Sequence, residues 1–397
     1  MNRSISRLAL VGLLGCGGPI ASTAEQDGST GGSRSTTTAV ETTSSGVPGT
    51  SGGASSGAQD TDSGGESSSG ELVQCEVEVL AATQLSDARF GVLTLTDGDS
   101  NVMVAGSRGW TLAGSVEAPV AQQVVESEEP LMVGRFGPGG AWAFGEPGPA
   151  LIRVLPLNDP DAVVETSTGS IPSSLVGDLD DDGLDDLVVV TSGRYDLWRA
   201  DGDGGFVWQA QSEDSYPRAF RGFAPATAWT PAALLIVDDA QGLVGLELSG
   251  DVLEKAYAVE LILAWSVQGV QPLSNVGRSI LVAQYGGALV DPLEGYVGFI
   301  DGQDGGWTGR GVDFGQFLLA PPGALDLDAD GTLDAVAATT GMDGSLRGGC
   351  SRGDVLVPCL DHAVAGTPES IAVREDGVVF VATEDQGLWV YRLGECL

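Results

Sequence analysis

Basic residues, histidine and long apolar runs are scarce in this 397-residue chain, and each scarcity excludes a class of function. Lysine and arginine total 18 against 55 aspartates and glutamates, which gives a net charge of −37 at pH 7. Such a charge repels phosphate backbones and anionic lipids, so nucleic acid is excluded as a partner. The single histidine, His362, cannot build a zinc site with a second histidine. No segment offers the roughly 18 uncharged apolar residues that a membrane-spanning helix needs.

The chain does contain two Asp-rich loops with one spacing, D-x-D-x-D-G-x-x-D. Carboxylates at loop positions 1, 3, 5 and 9 can surround one hard cation, with the backbone carbonyl of position 7 as a further oxygen ligand. The expected ligands are Asp178, Asp180, Asp182, Leu184 and Asp186 in the first loop, and Asp326, Asp328, Asp330, Thr332 and Asp334 in the second.

The residues after these loops distinguish them from an EF-hand. Position 12 is Val189 or Ala337 instead of a glutamate, and the short apolar run around it indicates a buried strand. Glycine at position 6 permits the sharp turn that brings the carboxylates together. A merely acidic, solvated turn is the alternative interpretation. Two copies with the same five positions favour calcium, and we expect two Ca²⁺ sites.

On these residues the chain resembles the FG-GAP or VCBS-type repeat family, which builds the integrin alpha-subunit propeller and many bacterial surface proteins. The resemblance covers 177–190 and 325–338, and the turn 201–206 is similar to the D-G-x-G-x-F turn of such repeats. It implies that calcium is held in hairpin loops of β-propeller blades. The equivalent stretches elsewhere lack the acidic ligands or keep only a remnant of them: 97–101, 135–140, 226–231 and 274–277.

Apolar runs recur along the chain with a period of about 46 residues, which is typical of a propeller blade. The last residues of seven such runs are Ala105, Phe144, Val190, Val237, Ala283, Ala338 and Ala382. We therefore predict an all-β fold for residues 72–397, a β-propeller of about seven four-stranded blades. The segment 76–80 is expected to complete the last blade beside 387–393.

The N-terminus has the features of an export signal. Arg3 and Arg7 precede the apolar run 8–14, which is too short to span a bilayer. Because 13–16 resembles the lipobox of bacterial lipoproteins, we expect residues 1–15 to be the signal peptide.

Cys16 is then the lipidated first residue of the mature chain. Gly17, in the place of an aspartate, implies transfer to the outer membrane, facing the periplasm or the cell surface. The segment 16–71 is rich in Ser, Thr and Gly and has no aromatic residue, so we expect a flexible tether.

Four further cysteines are present, and an exported location permits disulfides. Four cysteines allow three pairings. The most economical pairing joins Cys350 to Cys359 within one loop and Cys75 to Cys396 at the two ends of the domain. The second bond would join the first blade to the last. Free thiols are the alternative.

Together these features predict an extracytoplasmic binding, adhesion or scaffolding module with a protein or polysaccharide ligand. The Cys16 lipid would be its only membrane attachment. We expect no enzyme activity, because no G-x-S-x-G elbow precedes a helix and carboxylate pairs mean little among 55 acidic residues. The alternative is an exported polysaccharide lyase or hydrolase with an active site in the channel, which convergent Arg, Tyr and Asp/Glu side chains would favour.

Overall fold

The computed structural model describes seventeen stretches of the chain, all within the unit that contains Glu71–Leu397. They are 75–85, 92–95, 102–159, 161–175, 177–191, 193–216, 220–224, 234–239, 242–260, 265–272, 279–286, 295–303, 306–313, 322–339, 344–352, 355–384 and 387–396. The predicted signal peptide, Cys16 and the predicted tether lie outside the described residues. Within those residues, no helix has the length and apolar character needed to cross a membrane.

The described residues form twenty-eight strands, which fall into seven groups of four. The first strands of the groups are β2 (Val92–Leu95), β6 (Met132–Gly137), β10 (Pro172–Leu175), β14 (Phe220–Ala224), β18 (Trp265–Pro272), β22 (Gly323–Leu325) and β26 (Pro368–Val373). The second strands are β3 (Val102–Ala105), β7 (Ala141–Gly148), β11 (Leu187–Thr191), β15 (Leu234–Asp239), β19 (Ser279–Gly286), β23 (Asp334–Ala338) and β27 (Val378–Thr383).

The third and fourth strands complete each antiparallel group. The third strands are β4 (Arg108–Ser115), β8 (Leu151–Pro156), β12 (Arg194–Ala200), β16 (Gly242–Ser249), β20 (Gly295–Gln303), β24 (Ser345–Arg352) and β28 (Gly387–Cys396). The fourth strands are β5 (Ala118–Glu126), β9 (Val164–Ser167), β13 (Phe206–Ser212), β17 (Val252–Glu260), β21 (Gly306–Asp313), β25 (Val355–Ala363) and, for the last group, β1 (Cys75–Thr83).

Hydrogen bonding joins these groups into six sheets, so the seven separate sheets of a strict seven-blade prediction are not found. Five sheets have four strands. The third and fourth groups share an eight-stranded sheet because β13 and β17 pair in parallel, with Gln211 opposite Val252 and Ser212 opposite Leu253. Both are edge strands, whose unpaired backbone N–H and C=O groups allow such a junction.

Adjacent groups contact each other in chain order, and the last group contacts the first. First strands approach each other at β26–β2, β2–β6, β6–β10, β14–β18 and β22–β26, while β13–β17 and β21–β25 connect the remaining neighbours. First strands therefore line the inside of a closed ring, and fourth strands form its rim. This is the architecture of a β-propeller, as predicted.

The ring is closed by strands from the two ends of the described chain. β1 pairs antiparallel with β28, so the last group takes its fourth strand from the N-terminal side. The predicted pairing of 76–80 with 387–393 is confirmed. Cys75 and Cys396 lie opposite each other in this register, and the structure joins them in a disulfide, which we name the terminal clasp.

The core lies between neighbouring groups. Phe136 and Ile152 of the second group pack with Leu187 and Val189 of the third, and all four are buried. Each such buried side chain stabilises the fold by about 1.5–3 kcal/mol. All seven apolar runs of the repeat end in second strands. In β11, β23 and β27 consecutive residues are buried, so these strands are covered on both faces, which is why they are continuous apolar segments in the sequence.

Candidate metal-binding loops

The two Asp loops occupy the same place in two groups, between the first and second strands. Loop 1 (178–186) lies between β10 and β11, and loop 2 (326–334) between β22 and β23. Their backbones match: position 4 is left-handed in both, with φ of 61° at Asp181 and 55° at Ala329. Position 6 is also left-handed, at Gly183 and Gly331. Non-glycine residues rarely adopt this conformation, so both sequences fold into the same constrained turn.

The position-1 carboxylate holds each turn together. Asp178 accepts hydrogen bonds from the backbone N–H groups of Asp182 and Gly183, at 2.8 and 2.7 Å. In loop 2, Asp326 accepts the same two bonds from the backbone N–H groups of Asp330 and Gly331, at 3.1 and 2.9 Å. These bonds curl the chain so that the side chains of positions 1, 3 and 5 converge.

Six of the ten predicted ligands are brought together as two triads. One carboxylate oxygen from each of Asp178, Asp180 and Asp182 lies within 4.8 Å of the other two, and Asp326, Asp328 and Asp330 form the equivalent triad. The predicted position-7 ligands, Leu184 and Thr332, donate their N–H groups to the position-5 carboxylates at 2.9 and 2.7 Å. Those residues are thus held inside the loop.

The position-3 carboxylate indicates that the loops fit a cation. Oδ1 of Asp180 and Oδ1 of Asp328 are buried without a hydrogen-bond donor. The Asp328 side chain is only 4% exposed. Burying such oxygens unpaired is costly, typically several kcal/mol. A hard divalent cation among three converging carboxylates would remove that cost, and oxygen is the ligand that calcium prefers.

The position-9 carboxylates, also predicted as ligands, accept backbone hydrogen bonds. Asp186 accepts from the N–H of Leu179 at 3.1 Å and from that of Ala200 at 3.4 Å. Asp334 is bonded in the same way, by Leu327 at 2.8 Å and by the N–H of Ser351 on β24 at 2.6 Å. Both carboxylates are fully buried and join their loop to the third strand.

Burial also raises the proton affinity of the loop carboxylates. It raises the pKa of Asp186 to about 8, with the charge of Asp180 adding to the effect. It raises the pKa of Asp334 to about 6 against the hydrogen bonds from Ser351 and Leu327. Burial likewise raises the pKa of Asp178 and of Asp180.

Two residues next to Asp180 were not identified from the sequence. Nη1 of Arg199 lies 3.9 Å from Asp180 Oδ2, and Nε2 of Gln209 donates to the same oxygen at 3.5 Å. Gln209 is the extra residue of a β-bulge in β13, where Trp198 pairs with Trp208 but Leu197 pairs with Ala210. A bulge re-aims one side chain, here towards the loop.

Loop 2 has a disulfide in the corresponding place. The extra residue of the equivalent bulge in β25 is Cys359, and the structure bonds it to Cys350 on β24; we name this the hairpin disulfide. Aligned on the donors to position 9, Ala200 and Ser351, Cys350 takes the place of Arg199 and Cys359 that of Gln209. Asp328 is contacted instead by Arg352, whose Nη1 lies 2.5 Å from Oδ2.

Asp185 at position 8 was also missed. It accepts the N–H of Arg135 at 2.6 Å and donates its own N–H to the carbonyl of Arg135 at 3.1 Å, which links loop 1 to β6 of the neighbouring group. Loop 2 has Leu333 at this position. The only signal in the sequence was the additional aspartate itself.

Of the four stretches that are equivalent to the Asp loops but were expected to lack a full set of ligands, the structure describes one. Residues 135–140 end β6 and form the short 3₁₀ turn Pro138–Gly140, which carries no acidic side chain. Asp97, Asp99 and Asn101, and the stretches 226–231 and 274–277, lie outside the described residues.

A shallow groove of about 410 Å³ lies on the rim, where β13 joins β17. Trp208 forms one wall and is 46% exposed. Gln211 links the groove residue Arg194 to Asp196 of β12: its Oε1 accepts from Arg194 at 3.2 Å and its Nε2 donates to Asp196 at 2.7 Å. Three carboxylates also line the groove: Glu213, Asp251 and Glu254.

The single histidine lies away from this groove. Its ring packs edge-on against Tyr391 at a centroid distance of 5.5 Å. Burial lowers the pKa of His362, so the imidazole is neutral at pH 7. Burial also raises the pKa of Tyr391 to about 12, which keeps the phenol protonated.

Comparison with known proteins supports the fold alone. No protein-family model and no curated protein matches the chain. Among solved structures, it is similar to the crystal structure of the WD40 β-propeller domain of Doa1, with a TM-score of 0.55 and 12% sequence identity. The match covers 80% of this chain and 97% of that one. The protein is therefore a β-propeller.

Proposed function

We propose that this protein is an exported, lipid-anchored β-propeller of the FG-GAP or VCBS type that binds a saccharide on its rim and is stabilised by two calcium ions. Each group of four strands is then one blade, and the ring has seven. The segment 1–15 is the signal peptide, Cys16 carries the lipid that holds the protein at the outer membrane, and 16–71 is the tether.

Calcium is supported by the fit of the two triads. Each offers three converging carboxylates, a position-3 carboxylate with a buried oxygen that has no donor, and a backbone already folded into the turn. Bound calcium would supply positive charge and fix the loop geometry. At about 1 mM free calcium and a Kd of about 10⁻⁴ M, each site adds roughly 1.4 kcal/mol of stability.

The calcium proposal is tested by thermal unfolding with calcium and with a chelator. We expect calcium to raise the Tm of the wild type, and the pair Asp182→Ala with Asp330→Ala to abolish the rise. The matched control is the pair Asp161→Ala with Asp376→Ala, which removes the same charge from exposed turns. A calcium response that survives in the first pair rejects the proposal.

The observation that carries the binding function is the rim groove. Its volume of about 410 Å³ lies within the range of small-molecule sites, roughly 300–1,000 Å³. An exposed indole offers a flat apolar face for the C–H face of a sugar ring. Around it, Arg194 and Gln211 supply donors and the carboxylates supply acceptors for hydroxyl groups. Three carboxylates against one guanidinium disfavour anionic sugars, so we propose a neutral saccharide.

A glycan and envelope-protein binding screen on the full-length protein tests this function. We expect neutral glycans to bind and Trp208→Ala to remove binding. Val207→Ala is the matched control, because Val207 is 51% exposed but consecutive strand residues point to opposite faces. Binding of an envelope protein alone, or of glycans without dependence on Trp208, contradicts the proposal.

The anchor has its own test. Cys16→Ser should move the protein from the membrane fraction to the soluble fraction of the envelope. Membrane retention of that variant contradicts lipidation at Cys16.

A polysaccharide lyase or hydrolase is the second candidate, favoured by the gathering of Arg194, Glu213, Asp251 and Glu254 beside Trp208. The glycans that bind should then be cut at this groove. New reducing or unsaturated ends after incubation, lost in Glu213→Gln or Glu254→Gln, would establish this function.

A further inference from the structure

Loop 2 lies against the hairpin disulfide. The sulfur of Cys350 and one carboxylate oxygen from each of Asp328 and Asp334 all lie within 4.8 Å of one another. Cys350 is fully buried and Cys359 is 4% exposed, so these sulfurs form an apolar wall below the acidic loop. A divalent cation held by the triad would therefore rest on a surface whose position the disulfide fixes.

The hairpin disulfide in turn lies against the terminal clasp. The sulfurs of Cys359, Cys75 and Cys396 lie within 4.8 Å of one another. The four bonded cysteines and Leu327 of loop 2 pack in or against one apolar cluster that spans the last two groups. The two covalent links of the domain and loop 2 are thus one contiguous piece of structure.

A backbone hydrogen bond connects the clasp to the loop directly. The N–H of Cys396 donates to the carbonyl of Leu327 at 3.0 Å, and the N–H of Leu327 donates to Asp334 at 2.8 Å. Leu327 lies between Asp326 and Asp328, the ligands at positions 1 and 3. A shift of Cys396 on opening of the clasp would be passed to both carboxylates through this short path.

Loop 1 provides the internal control. Arg199 and Gln209 stand where loop 2 has its disulfide, and the loop is linked to β6 through Asp185. Among the described residues, no cysteine sulfur is grouped with the carboxylates of loop 1 as Cys350 is with those of loop 2. Any effect of disulfide chemistry on this loop would have to travel through the ring.

We propose that the two disulfides position the loop 2 cation site, so that cation binding at loop 2 and closure of the terminal clasp are thermodynamically linked. Reduction weakens binding at loop 2 and leaves loop 1 unchanged, and by reciprocity a cation at loop 2 protects the clasp from reduction. This inference rests on calcium binding by the loops, as proposed above.

The test uses the full-length protein in detergent and a trialkylphosphine as reductant. The phosphine transfers two electrons to each S–S bond and becomes a phosphine oxide with the oxygen of one water, whose two protons complete the two thiols. One variant keeps only loop 2 (Asp180→Asn with Asp182→Asn), and the other keeps only loop 1 (Asp328→Asn with Asp330→Asn). Calcium affinity is measured calorimetrically before and after reduction.

We expect reduction to weaken calcium binding about fivefold or more in the loop-2 variant and less than about twofold in the loop-1 variant. Equal losses, or no loss at loop 2, overturn the linkage. If neither oxidised variant binds calcium, the proposed function itself fails, which is a distinct result.

Two further measurements guard against unfolding of the reduced protein. Cys350→Ala with Cys359→Ala removes only the hairpin disulfide, and we expect it to weaken loop 2 while the clasp keeps the ring closed. Alkylation of Cys75 and Cys396, followed by mass spectrometry, gives the rate of clasp reduction. Calcium should slow it in the loop-2 variant but not in the loop-1 variant, and equal rates in all four conditions contradict the proposal.

Discussion

Loop 1 and loop 2 have nearly the same backbone and share four acidic positions, yet the protein supports them in different ways. Loop 1 is held by polar contacts, from Gln209 and Arg199 to Asp180 and from Asp185 to the neighbouring group. Loop 2 lies against the hairpin disulfide, and its Leu327 accepts a backbone hydrogen bond from Cys396 of the terminal clasp. The nine-residue motif therefore determines the shape of the loop, while residues far away in sequence determine how firmly it is held.

The β-bulge of the fourth strand explains how this difference arises. Such a bulge occurs in the fourth strands of five groups within the described residues, and its extra residue is Leu80, Val124, Gln209, Ala256 or Cys359. Only in the two groups with an acidic loop is this residue polar or disulfide-bonded. The bulge is a general feature of the ring, and its extra side chain adapts it locally to the loop.

The largest expected effect is the loss of stability on removal of either disulfide, and it should differ between the terminal clasp and the hairpin disulfide. The clasp spans 321 residues and the hairpin disulfide 9. On the chain-entropy relation, Cys75→Ala with Cys396→Ala should lower the free energy of unfolding by about 6 kcal/mol, and Cys350→Ala with Cys359→Ala by about 3 kcal/mol. Urea unfolding of the oxidised proteins measures both losses.

Non-reducing peptide mapping of the same samples checks the bonds themselves. Free thiols at all four positions of the wild type, or a larger loss for the hairpin pair than for the clasp pair, would contradict this ranking.

The next effect is a pH dependence that differs between the loops. With calcium chelated, the folded protein holds a proton on Asp186 up to about pH 8 and on Asp334 up to about pH 6. The unfolded chain loses both near pH 4. Stability should therefore fall as pH rises, by at most about 1.4 kcal/mol per pH unit for each proton, from both loops between about pH 4 and 6 and from loop 1 alone between pH 6 and 8.

Urea unfolding in chelator at pH 5, 6, 7 and 8 measures these slopes. Asp186→Asn should remove the slope above pH 6, while Asp334→Asn should change only the slope below it. Saturating calcium should flatten both. An Asp186→Asn profile that still falls between pH 6 and 8 would assign that slope to other groups.

How far the sequence predicts this molecule depends on the distance between the residues that make each feature. The 46-residue repeat located the second strand of each group of four. A strand that is covered on both faces is a continuous apolar run within one local segment, as in 187–190 and 335–338. The acidic triads were found for the same reason. Arg199, Gln209 and Arg352 were missed, because their approach to position 3 depends on strand register and on a bulge. The β13–β17 junction was missed because it joins two edges that are distant in sequence.

The link between loop 1 and its neighbour should have a smaller effect. Asp185→Ala leaves the N–H of Arg135 without its 2.6 Å carboxylate partner, and we expect a loss of about 1–3 kcal/mol in the free energy of unfolding. Leu333→Ala makes the change at the same position of loop 2, where no such bond exists, and removes only partly buried apolar area. Hydrogen exchange at Arg135 should accelerate in Asp185→Ala alone; unchanged exchange there would contradict the assigned link.

The smallest expected effect concerns the arginines that face the position-3 carboxylates. A bound cation must compete with Arg352 for Asp328 at 2.5 Å, but Arg199 stands 3.9 Å from Asp180. Both guanidinium groups are more than 40% exposed, so solvent screening limits each to about 1 kcal/mol or less. Arg352→Gln should therefore raise calcium affinity at loop 2 by up to about fivefold, and Arg199→Gln should raise it at loop 1 by less than about twofold. Calorimetry at low and high salt measures both, and the gain from Arg352→Gln should shrink at high salt. A larger gain at loop 1 would mean that the shorter contact does not oppose the cation, and that the disulfide below loop 2 sets its affinity instead.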